Sequence, residues 1–214
     1  MVFKSREEAG TLLADKLKKY GKDCVVLAIP RGGVVVGAQI ARALSCPLEV
    51  IIIRKLGAPS NPELAIGATT SKGGVVLDQE LIKRLEVTKG YIRSELSRQQ
   101  KEARRREKVY LKGETIHITD KTVILVDDGI ATGATIEVAI QAVREAKPAR
   151  VILAVPVAPP GTVEKLSNDV DELVVLSTPE HFWAIGEFYS SFPQVNDEEV
   201  VRLLQESNSK PQRD

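Results

Sequence analysis

Apolar residues along this chain follow two alternating rhythms. Ala9, Leu12, Leu13, Leu17 and Tyr20 keep helical spacing, Ser5 with Glu8 forms a capping box at the start of that helix, and Gly21 can stop it in a left-handed turn. Cys24-Val-Val-Leu-Ala-Ile29 is then a continuous apolar run, the pattern of a strand covered on both faces. Pro30-Arg31-Gly32-Gly33 interrupts it, Val34 to Leu44 reads as a helix, and Leu48 to Ile53 as a second buried strand. Arg54 to Gly74 has no clear period and carries Gly57, Pro59, Pro62, Gly67, Gly73 and Gly74. A long loop of this kind inside a compact domain points to a functional segment or a disordered one. Leu81 and Leu85 suit a short helix, and Thr88 can cap a longer one. Further strands are expected at 115–118, Thr122–Val126, Val151–Val155 and Leu173–Leu176, with helices at about 134–146 and 197–205. Strands alternating with helices imply right-handed β-α-β units around a parallel sheet.

The 214 residues suit one domain with an elaboration, and 43% hydrophobic residues suffice for a core without disulfides or a structural metal. A formal net charge of +1 gives no global pull toward nucleic acid or acidic lipid. Cys24 and Cys46 read as small buried hydrophobes, and His117 and His181 lie too far apart in sequence to suggest a zinc cluster. The first residues are too polar for a signal peptide and no apolar stretch is long enough for a bilayer, so a reduced cytoplasmic setting is expected.

Residues 91–108 are strongly charged. Arg98, Lys101, Arg105 and Lys108 share one helical face, but Glu95, Glu102 and Glu107 are interleaved. That mixture favours a solvated helix hairpin or a dimer contact over a nucleic-acid surface, with little area buried beneath it.

The strongest local signal is Thr122-Val-Ile-Leu-Val-Asp127-Asp128-Gly129-Ile130-Ala131-Thr132-Gly133-Ala134-Thr135. An apolar strand ends in two adjacent carboxylates, and a short loop rich in Gly and Thr then opens a helix. Ligands of open parallel sheets bind beyond the carboxyl ends of strands, and a helix N-terminus offers unpaired N–H groups to phosphate. Gly133 lets the backbone approach an anion closely, and the threonine hydroxyls add donors. The carboxylates repel phosphate and suit hydroxyl groups or a cation beside it. A sugar phosphate answers both demands. Incidental capping would need only one such acid. The chain has no G-x-x-x-x-G-K-[ST], and Gly32, Gly33 and Gly37 do not make G-x-G-x-x-G.

Val126 to Thr135 resembles the phosphoribosyl-pyrophosphate (PRPP) signature of the type I phosphoribosyltransferases. Pro30-Arg31-Gly32-Gly33 is similar to that family's pyrophosphate loop, the stretch after Ile53 falls where the family has its mobile catalytic loop, and Thr178-Pro-Glu-His-Phe182 resembles the hood over the base. The order Arg54-Lys55-Leu-Gly-Ala-Pro59 followed by Asn61-Pro-Glu-Leu-Ala-Ile-Gly67 is similar to one subgroup of that family. The resemblance spans most of residues 22–190, with 79–112 as an addition.

It implies an α/β fold with a central parallel sheet, a small hood from both termini and a helical insertion. The layout is core at 1–78 and 113–177, insertion at 79–112, hood and closing helix at 178–206, and a flexible tail at 207–214. The implied reaction moves a 5-phosphoribosyl group between PRPP and a nitrogenous base with release of pyrophosphate. The 5′-phosphate would lie on Gly129–Thr135, the ribose hydroxyls on Asp127 and Asp128, and the pyrophosphate on Arg31 with the Gly32 and Gly33 amides, next to a non-proline cis peptide. Mg²⁺ would be held mainly through PRPP, with Asp127 and Asp128 as its nearest protein groups.

Arg54 and Lys55 either meet phosphate, Lys55 then being catalytic, or form a solvated strand end. Phe182 and Trp183 either stack on the base or belong to ordinary core. A homodimer is the expected assembly, with neither membrane nor nucleic acid as a partner. The alternative is a regulator that senses PRPP with the same loop and does little chemistry. A phosphatase or kinase using Asp127 and Asp128 would lack its nucleotide-phosphate motif.

Overall fold

A computed structural model describes residues 1–71, 73–111 and 116–209, without the side chain of Glu63. The helices are α1 (Arg6–Leu17), α2 (Gly32–Leu44), α3 (Gln79–Arg84), α4 (Lys89–Leu111), α5 (Ala134–Glu145), α6 (Pro160–Ser167) and α7 (Asp197–Asn208). The strands are β1 (Cys24–Ala28), β2 (Leu48–Val50), β3 (Ile53–Ala58), β4 (Asn61–Thr70), β5 (Val75–Leu77), β6 (Thr122–Val126), β7 (Arg150–Val157) and β8 (Glu172–Ser177). Five strands form one parallel sheet in the order β2-β1-β6-β7-β8.

Strand alternation divides the core. Val26, Ala28, Ile124, Val126, Ile152 and Ala154 face α1, α2 and α7, while Leu27, Val123, Leu125, Val151 and Leu153 face α5 and Leu166 of α6. Side chains on both faces explain why these strands read as unbroken apolar runs. Register places Ala28 beside Val126, so β1 and β6 end together at the middle of the sheet.

The helix start at Ser5 departs slightly from the expected capping box. The Ser5 hydroxyl accepts from the Glu8 N–H at 3.4 Å, but the Glu8 carboxylate takes the N–H of Lys4 rather than that of Ser5. Phe3 bridges Tyr189 in parallel, with Phe3 N–H donating to the Phe188 carbonyl at 2.8 Å, so the two terminal segments meet as the hood expectation holds.

The stretch Arg54 to Gly74, expected to be an irregular loop, instead supplies most of β3 and all of β4, which join β5 in a second sheet of three antiparallel strands, β3-β4-β5. The register shifts on both sides of Gly57, which breaks the two-residue alternation that marks a strand in sequence. A Cβ at Gly57 would stand 2.6 Å from the Pro62 carbonyl oxygen, so glycine is what permits the close approach there. Arg54 and Lys55 therefore lie on a strand. The single expected strand 48–53 is two elements, since β2 ends at Val50 and Ile53 opens β3. Residues 116–118 form no strand. Thr115, the edge of the expected insertion at Lys112 and residues 210–214 of the expected tail lie outside the described residues.

The expectation of little buried area beneath the charged helix is also corrected. Arg98, Lys101, Arg105 and Lys108 are exposed, as their spacing predicts. On the opposite side Glu95, Gln99, Ala103 and Tyr110 are buried, and Ala103 and Tyr110 belong to the main core cluster. The stripe was hidden in the sequence because two of its four members are polar. Leu56, Ala58 and Ile66 of the small sheet form a separate cluster with Leu81 and Val87, which ties that sheet to α3 and its flanks.

Candidate active site

Asp127 and Asp128 leave the carboxyl end of β6 at the centre of the parallel sheet. The backbone N–H of Asp128 donates to Asp127 Oδ1 at 2.8 Å. Burial, reinforced by the neighbouring Asp128 charge, pushes the Asp127 carboxyl well above the usual carboxylate range. Burial also raises Asp128, but Arg6 opposes the shift. Arg6 Nε lies 2.7 Å from Asp128 Oδ2, its Nη1 donates to the Pro193 carbonyl at 2.8 Å, and its guanidinium stacks 3.7 Å from the Phe192 ring centroid. Two adjacent half-buried acids resist ionising together. The one with a cationic partner, Asp128, is the natural anion, and Asp127 favours its proton. The Tyr189 hydroxyl donates to the Asp128 carbonyl at 2.6 Å, and burial and then the Asp128 charge raise that phenol.

The loop after β1 packs directly on these acids. The Pro30–Arg31 peptide is cis, as the resemblance implies. A Cβ on Gly32 would fall onto Asp128 Oδ2 and stand 2.8 Å from Arg6 Nε, and one on Gly33 would stand 2.9 Å from the Asp127 Cα. Gly32 also opens α2, whose N-cap Arg31 makes no side-chain capping bond. The loop after β6 has the same character. Gly133 is the left-handed N-cap of α5 at φ 81°, again without a side-chain cap. Ile130 is buried and its N–H donates to the Val157 carbonyl at 2.9 Å, while the Thr162 hydroxyl holds the Ala131 carbonyl at 2.8 Å. Ala131, Thr132 and Ala134 are exposed and Thr135 is half-buried. A Cβ on Gly129 would stand 2.7 Å from Ile185 Cγ2, so the loop is closed in from the hood side as well. Two helix N-termini thus offer free amides on either side of a half-buried acid pair, an arrangement suited to a ligand with two anionic groups and hydroxyls between them.

Two cavities border this centre. One of about 370 Å³ is lined by Pro30, Arg54, Lys55 and Thr135 together with Tyr91, Gln99 and their neighbours on α4. The other, about 340 Å³, is lined by Arg6, Arg31, Gly32, Phe192 and Pro193. Arg31 Nη1 approaches Asp197 at 3.8 Å. Of the two aromatic residues expected at the base, Phe182 packs on Phe188 as a tilted pair with centroids 4.9 Å apart, and Trp183 is 87% exposed. Arg6, Thr162 and the α4 residues were not legible as site residues in the sequence, and Tyr189, legible only as one of the hood aromatics that could stack on a base or form core, instead braces the acid loop through its hydroxyl. Arg6 carries no motif, and only the pairing of the terminal segments brings it to Asp128.

Comparison with known proteins identifies the family and the fold. The family model described as phosphoribosyl transferase domain matches residues 4–72 and 69–192. Two Mycobacterium tuberculosis proteins, from strains CDC 1551 and H37Rv and each named "Putative phosphoribosyl transferase", are 40% identical over 205 residues, 95% of this chain but 46% of theirs. The chain thus spans about half the length of those curated relatives. The crystal structure of TT1426 from Thermus thermophilus is 41% identical, covers 98% of this chain and 100% of its own, and superposes with a TM-score of 0.84. A purine phosphoribosyltransferase from Pyrococcus horikoshii shares the fold at 20% identity, with 89% and 92% of the two chains covered and a TM-score of 0.50. With the sheet order, the acid pair and its two flanking loops in place, the chain belongs to the phosphoribosyltransferase family and has its type I fold.

Proposed function

We propose that this chain transfers a 5-phosphoribosyl group between PRPP and a nitrogenous base, releasing pyrophosphate, in the presence of Mg²⁺. The observation that carries the reading is the pair of uncapped helix N-termini, α2 and α5, set on either side of Asp127 and Asp128. PRPP carries a monophosphate on C5 of its ribose and a pyrophosphate on C1. The loop 129–135, apart from the Ile130 amide that is held by Val157, suits the 5′-phosphate, the two acids suit the ribose hydroxyls, and Arg31 with the Gly32 and Gly33 amides suits the pyrophosphate. Arg54 and Lys55 reach the same region from β3, in the cavity shared with Pro30 and Thr135. The transition state is oxocarbenium-like, with negative charge leaving on the pyrophosphate, so fixed donors around that group supply the catalysis.

The donor set fits Mg²⁺ carried mainly by PRPP. Among the described residues no three His, Cys, Asp or Glu side chains are placed to hold a metal. Asp128 is committed to Arg6 and Asp127 favours its proton, so the pair could add at most a contact through its outer oxygens. When bound, the ion would neutralise charge on the pyrophosphate. No described helix is long and apolar enough to cross a membrane, in keeping with substrates that are dissolved metabolites. Phe182 remains our choice for stacking on the base, with Trp183 beside it, and a homodimer our expectation for the assembly.

The acceptor can be narrowed. The hood segment 178–182 is similar to that of hypoxanthine–guanine enzymes, which carry an acid three residues after the second acid of the loop and a lysine after the next strand. Here those places hold Ala131 and the stretch Val155-Pro-Val-Ala-Pro-Pro160. A missing charge-assisted hydrogen bond to the 6-oxo group costs about 1.5–3 kcal/mol. Hypoxanthine and guanine should therefore be poor acceptors. Pyrophosphate release from PRPP, measured against each purine and pyrimidine base, tests both statements. Tight PRPP binding with no pyrophosphate released in the presence of any base would favour the sensing regulator, and fast turnover of hypoxanthine or guanine would sink the acceptor argument.

Gly133→Val tests the phosphate cradle. A branched side chain there must adopt φ 81° and would press on Thr162 Cγ2, 3.1 Å from the nearest Cβ position. The left-handed backbone alone costs about 1–2 kcal/mol. Binding of nucleoside monophosphates, followed by calorimetry, should be lost. Retained affinity would place the phosphate elsewhere.

A further inference from the structure

Helix α4 is hydrophilic, yet the stripe it buries begins with two polar residues, Glu95 at 5% and Gln99 at 7% exposure. Farther along, the same stripe is Ala103 and Tyr110, as packing alone would favour. The polar part lies where α4 borders the cavity that also holds Pro30, Arg54, Lys55 and Thr135.

The contacts there form a directed chain. Arg54 Nε donates to Gln99 Oε1 at 2.9 Å, and Gln99 Nε2 donates to Glu95 Oε1 at 2.9 Å. Arg98 closes the far end, with Nε and Nη2 each 2.8 Å from a Glu95 oxygen. The donation to Glu95 fixes which way the Gln99 amide faces, leaving its oxygen toward Arg54. The helix also grips the strand that carries Arg54. The Tyr91 hydroxyl donates to the Gly57 carbonyl at 3.0 Å, and the Gly57 N–H reaches the Glu95 carboxylate. Gly57 sits at the register shift three residues beyond Arg54, where β3 would otherwise be least constrained.

We propose that Gln99, oriented by Glu95, is a positioning residue that aims Arg54 into the phosphate cleft, so that α4 is a wall of the substrate site. Buried polar side chains are retained at a cost unless paired, and here Gln99 is paired on one side with Arg54 and on the other with Glu95. With Nε anchored, the two Nη groups of Arg54 stay available as a fork for a phosphate. The ligand is the anionic pyrophosphate end of the substrate, and in naming it the inference rests on the reading under Proposed function.

The test is a double-mutant cycle on the full chain, with PRPP and inorganic pyrophosphate as separate probes by calorimetry in MgCl₂. Gln99→Leu should weaken both probes about tenfold while the KM for the base is unchanged. In an Arg54→Ala background the same change should have less than a twofold effect, because the group it positions is gone. Gln99→Met, which keeps the chain length and the burial, should repeat the result if the leucine variant does not fold. Unchanged affinity in a folded Gln99 variant, or effects that simply add in the double mutant, overturn the proposal. Wild-type protein that binds pyrophosphate but not PRPP would overturn the phosphoribosyl reading, while the cycle on pyrophosphate would still decide the role of Gln99. Wild type that binds neither overturns both.

Discussion

Replacing Asp127 and Asp128 together by asparagine should abolish PRPP binding in Mg²⁺ while the parallel sheet stays folded. The two positions are expected to differ in what they cost the fold. Asp127 is half-buried and its carboxyl, desolvated and beside the Asp128 charge, resists ionising, so at neutral pH the folded state holds a group that the unfolded chain would release as a carboxylate. Its raised pKa therefore lowers stability above the unfolded value, and Asp127→Asn should be neutral or mildly stabilising at pH 7. Asp128→Asn removes the negative charge that faces Arg6, which is 7% exposed, and leaves that guanidinium with neutral partners alone, an amide, the Pro193 carbonyl and the Phe192 ring. Breaking a buried pair from one side costs about 3–5 kcal/mol. Denaturant melts separate the two contributions, and calorimetry reads the ligand. PRPP affinity that survives in a folded double variant would remove the acids from the site.

Gly32→Ala is expected to have the next largest effect, through a single methyl group. Its Cβ would clash with Asp128 Oδ2, lie 2.6 Å from Asp128 Cγ and 2.8 Å from Arg6 Nε. None of these is the free end of a flexible chain. Both side chains are held, Asp128 by Arg6 and Arg6 by Pro193 and Phe192. Accommodation requires either the pair to part or the start of α2 to move away from β6, and overpacking of this kind costs about 1–3 kcal/mol. Either movement also displaces the amides proposed to hold pyrophosphate, so PRPP affinity should fall well beyond tenfold. Gly161→Ala is the control, because a Cβ in that first turn of α6 meets nothing within 4 Å. It should be neutral or stabilise by up to about 1 kcal/mol, as alanine is the better helix former. If Gly32→Ala melts and binds like Gly161→Ala, the close packing of loop on acids has no functional consequence.

The Gly133→Val and Gln99 experiments probe opposite ends of the same proposed ligand. The first acts on the α5 amides and the second on a side chain behind Arg54. Loss of nucleoside monophosphate binding in Gly133→Val, with Gln99→Leu affecting pyrophosphate instead, would assign the two anion sites separately.

Signals carried within a few residues were enough for much of this molecule. The buried strands β1, β6 and β7 are apolar runs because both faces of a parallel sheet are covered. The acid pair, its glycines and threonines, and the Pro30–Gly33 turn are contiguous, so their placement at strand ends and helix starts could be read directly. Features that join distant segments required the folded chain. Arg6 meets Asp128 across 122 positions of sequence, through the pairing of Phe3 with Tyr189. The β3-β4-β5 sheet was masked by its own bulge at Gly57, where alternation fails. The buried side of α4 was masked because Glu95 and Gln99 become interior only once Arg54 and Gly57 satisfy them. Local chemistry is written in neighbouring residues, whereas burial of a polar group depends on a partner that only tertiary structure supplies.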